Sequence, residues 1–197
     1  LTKDLKFKSM LGIEENNDSY HSWIDPLRTR QGRIYQGIAN YSNSLSFYWI
    51  SENTLSYNKV IGKHTFGGVA GFVASKINGE SSGITGKNFG SAAVHTVNAG
   101  TDISASYSEM AKSNESFLGR INYAYDDKYL LTANFRADGS SVFGANHKWG
   151  YFPSFSTGWR ISKEGFWNEN SIVNDLKLRV GWGEVGNDQI GNYASWG

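Results

Sequence analysis

The residues whose spacing most resembles a known chemical site are the glycines between Gly181 and Gly186, which spell G-x-G-x-x-G. In dinucleotide-binding domains this spacing follows a strand and opens a helix, and the N-terminus of that helix holds the pyrophosphate. The residues that follow here, Asn187 to Asn192, have the composition of a loop. We therefore interpret the glycines as the end of a strand and expect no bound cofactor.

The spacing of the titratable residues gives no support to metal or acid–base chemistry. Four histidines lie far apart and without metal-ligand spacing, at positions His21, His64, His95 and His147. Asp126 and Asp127 are adjacent, so on a strand they would point to opposite faces, and a tight turn explains them better. Gly79-Glu80-Ser81-Ser82-Gly83 has the G-x-S-x-G spacing, but it lies in a Gly/Ser/Asn-rich stretch and not between a strand and a helix, as a nucleophile elbow would. We predict no catalytic residue and no metal site, and a protein that is not an enzyme.

The composition excludes several further classes of protein. Lys and Arg number 19 against 18 Asp and Glu, which leaves a formal net charge of +1, whereas a nucleic-acid-binding domain needs a basic excess. Aromatic residues make up 15% of the 197 residues, which argues against disorder, and the absence of cysteine excludes disulfides. The mean hydropathy is −0.46. A transmembrane barrel also has a polar average, because its strands alternate polar and apolar residues.

Alternation with a period of two dominates the chain and predicts an all-β, antiparallel fold. Between residues 117 and 137, two alternating runs flank Asp126-Asp127-Lys128, which is the pattern of a β-hairpin with one apolar and one polar face. Seven strands are predicted in this way, at residues 3–15, 35–59, 64–77, 114–126, 129–139, 153–163 and 175–185. Basic residues share the polar faces, at Lys6, Lys8, Arg120, Arg136, Arg160, Lys177 and Arg179. Arg136 and Asp138 have the same parity and could pair there.

The connections between these strands alternate in length. Long polar connections are predicted at residues 16–34, 78–113 and 140–152, and short turns at 60–63 and 127–128. Outer-membrane barrels have this arrangement, with long loops outside the cell and short turns in the periplasm. The alternative is a soluble all-β domain, in which the apolar faces would be buried against a second sheet.

Several motifs in the second half of the chain occur in a consistent order and spacing. They are Arg136-Ala137-Asp138-Gly139-Ser140-Ser141-Val142-Phe143-Gly144, Trp149-Gly150-Tyr151-Phe152-Pro153-Ser154, Gly158-Trp159-Arg160-Ile161-Ser162 and Gln189-Ile190-Gly191-Asn192-Tyr193. With these motifs the sequence resembles the SusC/RagA family of TonB-dependent outer-membrane transporters, in the C-terminal half of the barrel. The stretches from Glu52 to Lys59 and from Phe117 to Tyr123 resemble two further parts of that family.

The resemblance implies an antiparallel transmembrane β-barrel of about 22 strands, of which this chain would supply about seven. Residues 1–197 would be a partial barrel domain, without the signal peptide and the plug domain. The family imports a large nutrient, an oligosaccharide or a peptide, across the outer membrane of a Gram-negative, Bacteroidota-like bacterium. The implied partners are a SusD-like surface lipoprotein, TonB, outer-membrane lipid and the glycan or peptide substrate, with no nucleic acid.

We expect the motif from Arg136 to Ser154 to be chiefly structural. The alternative is that exposed aromatic residues of this external loop stack on sugars, because exposed loop residues often bind ligands. The candidates are Trp149, Tyr151 and Phe152, with Pro153 predicted as the first residue of the next strand.

Two other functions compete with transport. The first is a soluble or surface-attached β-sandwich that binds carbohydrate, and it would bury the apolar faces that a barrel leaves exposed as a band roughly 25 Å tall. The second is a secreted β-rich hydrolase, which would need convergent carboxylates or a triad, and the sequence offers neither.

Overall fold

The computed structural model describes residues 3–143, 148–167 and 172–187. Within these ranges seven antiparallel strands form one sheet, and each strand pairs with the next along the chain. The strands are β1 (Leu5–Ile24), β2 (Ile38–Ile61), β3 (His64–Phe89), β4 (Gly100–Tyr125), β5 (Tyr129–Ser140), β6 (Trp149–Arg160) and β7 (Lys177–Gly183). One short helix, α1 (Arg30–Ile34), and two 3-10 turns, Val97–Ala99 and Ile161–Lys163, lie in the connections. The predicted all-β, antiparallel fold class is confirmed.

The chain divides into two compact units. Unit one comprises Leu1–Gly12, Ile50–Ser75 and Lys112–Gly197, and unit two comprises Ile13–Trp49 and Lys76–Ala111. Strands β5, β6 and β7 belong entirely to unit one, whereas α1 belongs to unit two. Within the part of the chain that the structure describes, no helix has the length and apolarity needed to cross a membrane.

Strands β1, β3 and β4 are longer than the alternation indicates, so three predicted boundaries are wrong. β1 reaches Ile24 instead of residue 15, β3 reaches Phe89 instead of 77, and β4 begins at Gly100 instead of 114. The predicted loops at 16–34 and 78–113 are therefore reduced to connections at 25–37 and 90–99. Most residues on both faces of the added lengths are small or polar, which removes the period of two. The backbone hydrogen bonds of the sheet need no such pattern.

Pro153 lies inside β6, and the prediction that a strand begins at this residue is wrong. β6 starts at Trp149, and Pro153 is opposite Phe135 in the register with β5. The carbonyl of Pro153 accepts a hydrogen bond from the Glu184 N–H at 3.0 Å. In an antiparallel strand the N–H and C=O of one residue point to the same side. The missing N–H of Pro153 therefore faces the end of β7, and the ladder to β5 loses no bond.

The register from β4 to β7 sorts the side chains of these strands into an apolar and a polar face. The apolar face is exposed: Ile121 is 67%, Phe135 50% and Phe155 51% accessible. Buried hydrophobic residues are few in the described ranges, at Ile38, Ala39, Phe89, Ala137 and Val142. No second sheet of described residues covers the apolar face. This arrangement argues against the β-sandwich, which would bury that face.

The turn between β4 and β5 has the chemistry that its adjacent aspartates predict. Asp126 and Asp127 have φ values of 53° and 52°, and the Lys128 N–H donates to the Tyr125 carbonyl at 2.9 Å. Positive φ at both central residues matches the twist of a hairpin, and aspartate tolerates this conformation better than most residues do. The two aspartates therefore serve the chain reversal through their backbone conformation.

Candidate functional site

The polar faces of β4, β5 and β6 form the floor of a groove in unit one, with a volume of about 1060 Å³. This volume lies just above the usual range for small-molecule sites, roughly 300–1,000 Å³. The side chains on the floor of the groove include Ser116, Arg120, Asn134, Arg136, Asp138 and Phe152. They share one face because every second residue of a strand projects the same way.

A chain of hydrogen bonds crosses three strands on the groove floor. Arg120 lies opposite Asn134, which lies opposite Ser154. The Nε of Arg120 donates to Oδ1 of Asn134 at 2.6 Å, and Nδ2 of Asn134 donates to Oγ of Ser154 at 3.0 Å. Because each partner orients the next, the amide and the guanidinium are held in fixed positions before any ligand arrives.

Arg136 and Asp138 form an ion pair beside this chain, as their shared strand parity indicates. The Nε of Arg136 lies 2.7 and 2.8 Å from the two carboxylate oxygens of Asp138. An Nη of Arg136 also donates to Oγ of Ser116 at 3.4 Å. Strand parity predicts a basic face, but in the groove the negative charge of Asp138 offsets the positive charge of Arg136.

Phe152 projects into the groove, and its ring rests against two glycines. A Cβ at Gly150 would lie 2.6 Å from Cζ of the Phe152 ring, and a Cβ at Gly186 would overlap the same ring. β7 ends at Gly183, so the glycine motif is the end of a strand, as interpreted from the sequence. Residues 188–192 of the predicted loop lie outside the described residues.

Trp149 and Tyr151 project from the face of β6 opposite Phe152. Trp149 nevertheless borders the groove together with Phe152, whereas Tyr151 does not. The Trp149 ring packs near Phe117, with 5.9 Å between centroids, and Tyr151 lies 6.2 Å from Phe135. Trp149 is 41% and Tyr151 60% exposed on the apolar face. The prediction that these residues lie in a loop is wrong, because all three belong to β6.

Asn114 is a groove residue that sequence reasoning missed. Its Oδ1 is buried and has no hydrogen-bond partner among the described residues, and Asn114 lines the groove. A buried acceptor without a partner costs about 1–3 kcal/mol. In the sequence Asn114 begins the glycosylation sequon Asn114-Glu115-Ser116, but that spacing does not indicate a buried acceptor.

A second pocket, of about 780 Å³, lies in unit two. Trp23 stacks on His95 with 4.4 Å between ring centroids and meets Phe89 edge-on at 4.8 Å. These rings cover one another, so their evident role is to pack the connection 90–99 against β1 and β3.

The histidines do not converge in the described structure. His64 makes a hydrogen bond between Nδ1 and the Tyr123 hydroxyl at 2.8 Å, and His21 packs beside Tyr41 at 4.7 Å. His147 lies outside the described residues. Among the residues that are described, no three His, Asp or Glu side chains are grouped so as to hold a metal ion.

Charged residues gather where the β4–β5 turn meets the end of β6. Asp126 pairs with Lys63 at 3.0 Å, and Asp127 pairs with Arg160 at 2.5 Å and with Lys163. Hydrogen bonding from Lys63 holds the pKa of Asp126 below its usual value, and hydrogen bonding from Lys163 does the same for Asp127. This cluster ties the turn to the start of the connection after β6.

Glu164 is the centre of a second group at this end, and no sequence motif marks this residue. Its Oε1 accepts hydrogen bonds from the Tyr129 hydroxyl at 2.6 Å and the Trp159 indole N–H at 3.0 Å. Its other oxygen lies 3.4 Å from Nζ of Lys128. These donors, with the Tyr129 hydroxyl as the main cause, lower the pKa of Glu164 below its usual 4.5.

We expect Glu164→Gln to lower the urea midpoint of the full-length receptor at pH 7. A carboxyl group whose pKa is lowered by folding stabilises the fold above its unfolded pKa, and this contribution disappears as the pH falls through the folded pKa. The difference between wild type and variant should therefore shrink below pH 4.5, the usual value of this carboxyl. Glu15→Gln, at an exposed site on β1, is the control. Equal midpoints of wild type and Glu164→Gln at pH 7 would contradict this role.

No family model matches the chain, but curated proteins do. The chain is 34% identical over 207 aligned residues to the TonB-dependent receptor P39 of Formosa agariphila, covering 99% of this chain and 19% of that receptor. It is 46% identical over 77 residues to the TonB-dependent receptor SusC of Bacteroides thetaiotaomicron, covering 39% of this chain and 8% of SusC. The chain thus spans at most about a fifth of the length of these curated relatives.

A solved structure shares the fold of the chain. The structure of the RagAB peptide transporter superposes with a TM-score of 0.88 at 24% sequence identity, covering 98% of this chain and 22% of the matched chain. The seven strands therefore match a portion of a transporter barrel.

Proposed function

Because the chain belongs to the SusC/RagA-like family of TonB-dependent receptors, we propose that it is part of a transmembrane barrel that imports a nutrient across an outer membrane. Residues 1–197 would be a segment of the barrel domain of a longer receptor. The cell would be a Gram-negative, Bacteroidota-like bacterium, and the substrate an oligosaccharide or a peptide.

The exposed apolar face of β4 to β7 is the observation that carries this proposal. Phe117, Leu131, Phe155 and Trp182 are each about half exposed, on the face opposite the polar groove. Burying one such side chain is worth about 1.5–3 kcal/mol relative to leaving it in water. Lipid hydrocarbon covers such a face without a second protein layer, while a closed barrel pairs every backbone group.

The lengths of β1 to β4 fit a barrel whose strands continue past the hydrocarbon. These strands have 20, 24, 26 and 26 residues, whereas about 9–11 tilted residues cross a bilayer. Along β3 the positions that alternate with Phe66 are apolar up to Ala74 and polar from Lys76 to Glu80. This change supports a lipid-facing stretch followed by a water-exposed one.

The proposed partners follow from the family and from the edges of the sheet. The edge strands β1 and β7 would pair with the remaining strands of the full-length barrel, because unpaired edges are not tolerated in lipid. A SusD-like surface lipoprotein would cover the external loops. TonB would act through the N-terminal region of the full-length receptor.

Topology gives a direct prediction about which connections face the cell surface. The connections 25–37, 90–99 and 141–148 should be external, and the turns around Gly62 and Asp127 periplasmic. This segment has no cysteine, so single cysteines can be placed at exposed Leu27 and Ala92 outside and at Lys63 inside. In an otherwise cysteine-free receptor, an impermeant maleimide on intact cells should label Leu27→Cys and Ala92→Cys. It should label Lys63→Cys only after lysis, and labelling in the reverse order would contradict the topology.

Transport is tested by deleting the gene of the full-length receptor and restoring it on a plasmid. We expect the deletion strain to lose growth on one class of substrate among neutral oligosaccharides, acidic oligosaccharides and peptides, and the plasmid to restore it. Restoration should require TonB, and the affinity-purified receptor should carry a surface lipoprotein. Unchanged growth on every substrate in that set would overturn the proposal.

A further inference from the structure

We infer that the pocket in unit two, of about 780 Å³, binds the saccharide of a glycolipid in the outer leaflet of the membrane, as in lipopolysaccharide. The pocket would lie on the outer wall of the barrel, at the level of the lipid headgroups. This inference rests on the proposed transmembrane barrel and its topology, and it adds a lipid-anchored ligand that is not the transported nutrient.

The pocket lies on the apolar face of unit two. On β2, Phe47 is 39% exposed and alternates with Ser44 and Ser46, so the odd positions of this strand form the apolar face. Tyr41 has the same parity, and its ring lies 4.7 Å from that of His21 on β1. Both rings line the pocket. The pocket is therefore on the side that the proposed barrel turns toward lipid.

Along β2 the pocket lies beyond the hydrocarbon. Leu45 is the last apolar residue on this face before the pocket, and Asn43 separates it from Tyr41. Oγ of Ser19 on β1 donates to Oδ1 of Asn43 at 2.7 Å, which marks a polar row across the two strands. Four residues of strand span about 13 Å, which is about 9 Å along the membrane normal at a tilt of about 45°. The headgroup region of one leaflet is about 5–8 Å thick, so sugars can reach the pocket and acyl chains cannot.

The chemistry of the pocket fits an uncharged sugar. Its described lining carries no Lys, Arg, Asp or Glu, so phosphate groups find no cationic partner there. Tyr41, Ile84 and Ile103 give it an apolar surface, and the negative face of an aromatic ring attracts the weakly positive C–H groups of a sugar ring. Thr96 and Asn98, which precede β4, add a hydroxyl and an amide. These groups can donate to and accept from sugar hydroxyls.

One wall of the pocket is the connection that joins β3 to β4. Its His95 stacks on Trp23 with 4.4 Å between ring centroids, and Nε2 of His95 lies 2.9 Å from the carbonyl oxygen of Ala92. Val97 lies so close to Gly86 that a Cβ there would overlap the Val97 carbonyl oxygen. These contacts hold the wall in place before a ligand arrives, which reduces the ordering cost of binding.

The first test measures binding to the purified full-length receptor after bound lipid has been removed. Calorimetric titration compares two probes made by mild acid hydrolysis of lipopolysaccharide from the receptor's own strain, the core oligosaccharide and the lipid A. We expect the oligosaccharide to bind, and Tyr41→Ala to weaken that binding by about tenfold. Tyr20→Ala is the matched control and should leave binding unchanged, because Tyr20 is 62% exposed beside His21 on β1 but has the opposite parity.

A second variant guards against misfolding of Tyr41→Ala. Ile84 is 39% exposed, so Ile84→Trp removes no buried side chain and instead fills the pocket. It should also weaken binding of the oligosaccharide. Binding of lipid A alone, or oligosaccharide binding that is indifferent to both variants, would overturn the inference. No binding of the oligosaccharide would overturn it as well.

Cross-linking identifies the occupant of the pocket in living cells. A photoreactive phenylalanine analogue in place of Ile103, which is 52% exposed, should cross-link the full-length receptor to lipopolysaccharide. A cross-link to a protein, with none to lipopolysaccharide, would assign the pocket to a protein partner and overturn the inference. Each of these outcomes leaves the proposed import standing, which only unchanged growth of the deletion strain would remove.

Discussion

Replacing Phe155 with arginine is expected to destabilise the receptor in a bilayer by about 2–4 kcal/mol, because a cation on the lipid face near the middle of a transmembrane strand is costly. Phe155 is 51% exposed, lies midway along β6, and packs beside Trp182 at 5.7 Å on the apolar face. The measurement is the urea midpoint of the full-length receptor refolded into phospholipid vesicles.

Ser156→Arg is the matched control for this substitution. Ser156 is the next residue of β6, on the polar face opposite Thr132 and Gly181, where an arginine would stay in water. Ser156→Arg should lower the stability of the receptor in the bilayer much less than Phe155→Arg does. Equal losses at the two positions would show that the apolar face does not meet lipid, and a larger loss at Ser156 would reverse the assignment of the two faces.

Replacing Gly86 with alanine is expected to lower the free energy needed to open the connection 90–99 by about 1–3 kcal/mol. Gly86 is buried in β3, and a Cβ there would overlap the carbonyl oxygen of Val97 and lie 3.3 Å from Cγ1 of the same residue. Because the overlap is with backbone, a side-chain rotation cannot relieve it. Val97 and its neighbours would have to move away from β3.

Limited proteolysis of the full-length receptor measures this effect. Cleavage between residues 90 and 99 should become several times faster in Gly86→Ala than in wild type, because cleavage follows the population of the open form. Gly90→Ala is the control, since a Cβ at Gly90 would have no heavy atom within 4 Å. If both variants are cut at the wild-type rate, the close approach of Gly86 and Val97 is not a constraint on this connection.

The hairpin of β4 and β5 shows how much local pattern can predict. Its turn, its register and its two faces follow from the alternation between Phe117 and Ala137 and from the adjacent aspartates. The Arg136–Asp138 pair also follows, because residues two apart on a strand share a face. In such a segment the side-chain pattern and the backbone ladder carry the same information.

The extensions of β1, β3 and β4 could not be predicted in the same way. Residues 78–82 and 111–114 carry only small or polar side chains on both faces, which is the composition of a loop. These residues form strands because the neighbouring strands have similar lengths and pair with their backbone groups. The local side-chain pattern does not indicate such pairing. The position of Pro153 was misjudged for a related reason, since its tolerance depends on where β7 ends.

Glu164 and Asn114 mark the limit of reasoning from single positions. Glu164 accepts hydrogen bonds from Tyr129 and Trp159, which are 35 and 5 residues away in the sequence. Only the register of β5 and β6 brings these two donors together. Asn114 matters because its acceptor is buried in the groove without a described partner. Neither property leaves a spacing that a sequence pattern can detect.

By itself, the sequence determined the antiparallel all-β class, the alternation of apolar and polar faces, the family resemblance and the aspartate turn, because each of these depends on neighbours within a few residues. The tertiary structure decided where the strands end. It also decided that Phe152 projects from the face of β6 opposite Trp149 and Tyr151, and that the charges lining the groove balance. These properties depend on cross-strand register, which pairs residues tens of positions apart. A shift of one residue would exchange the two faces of a strand.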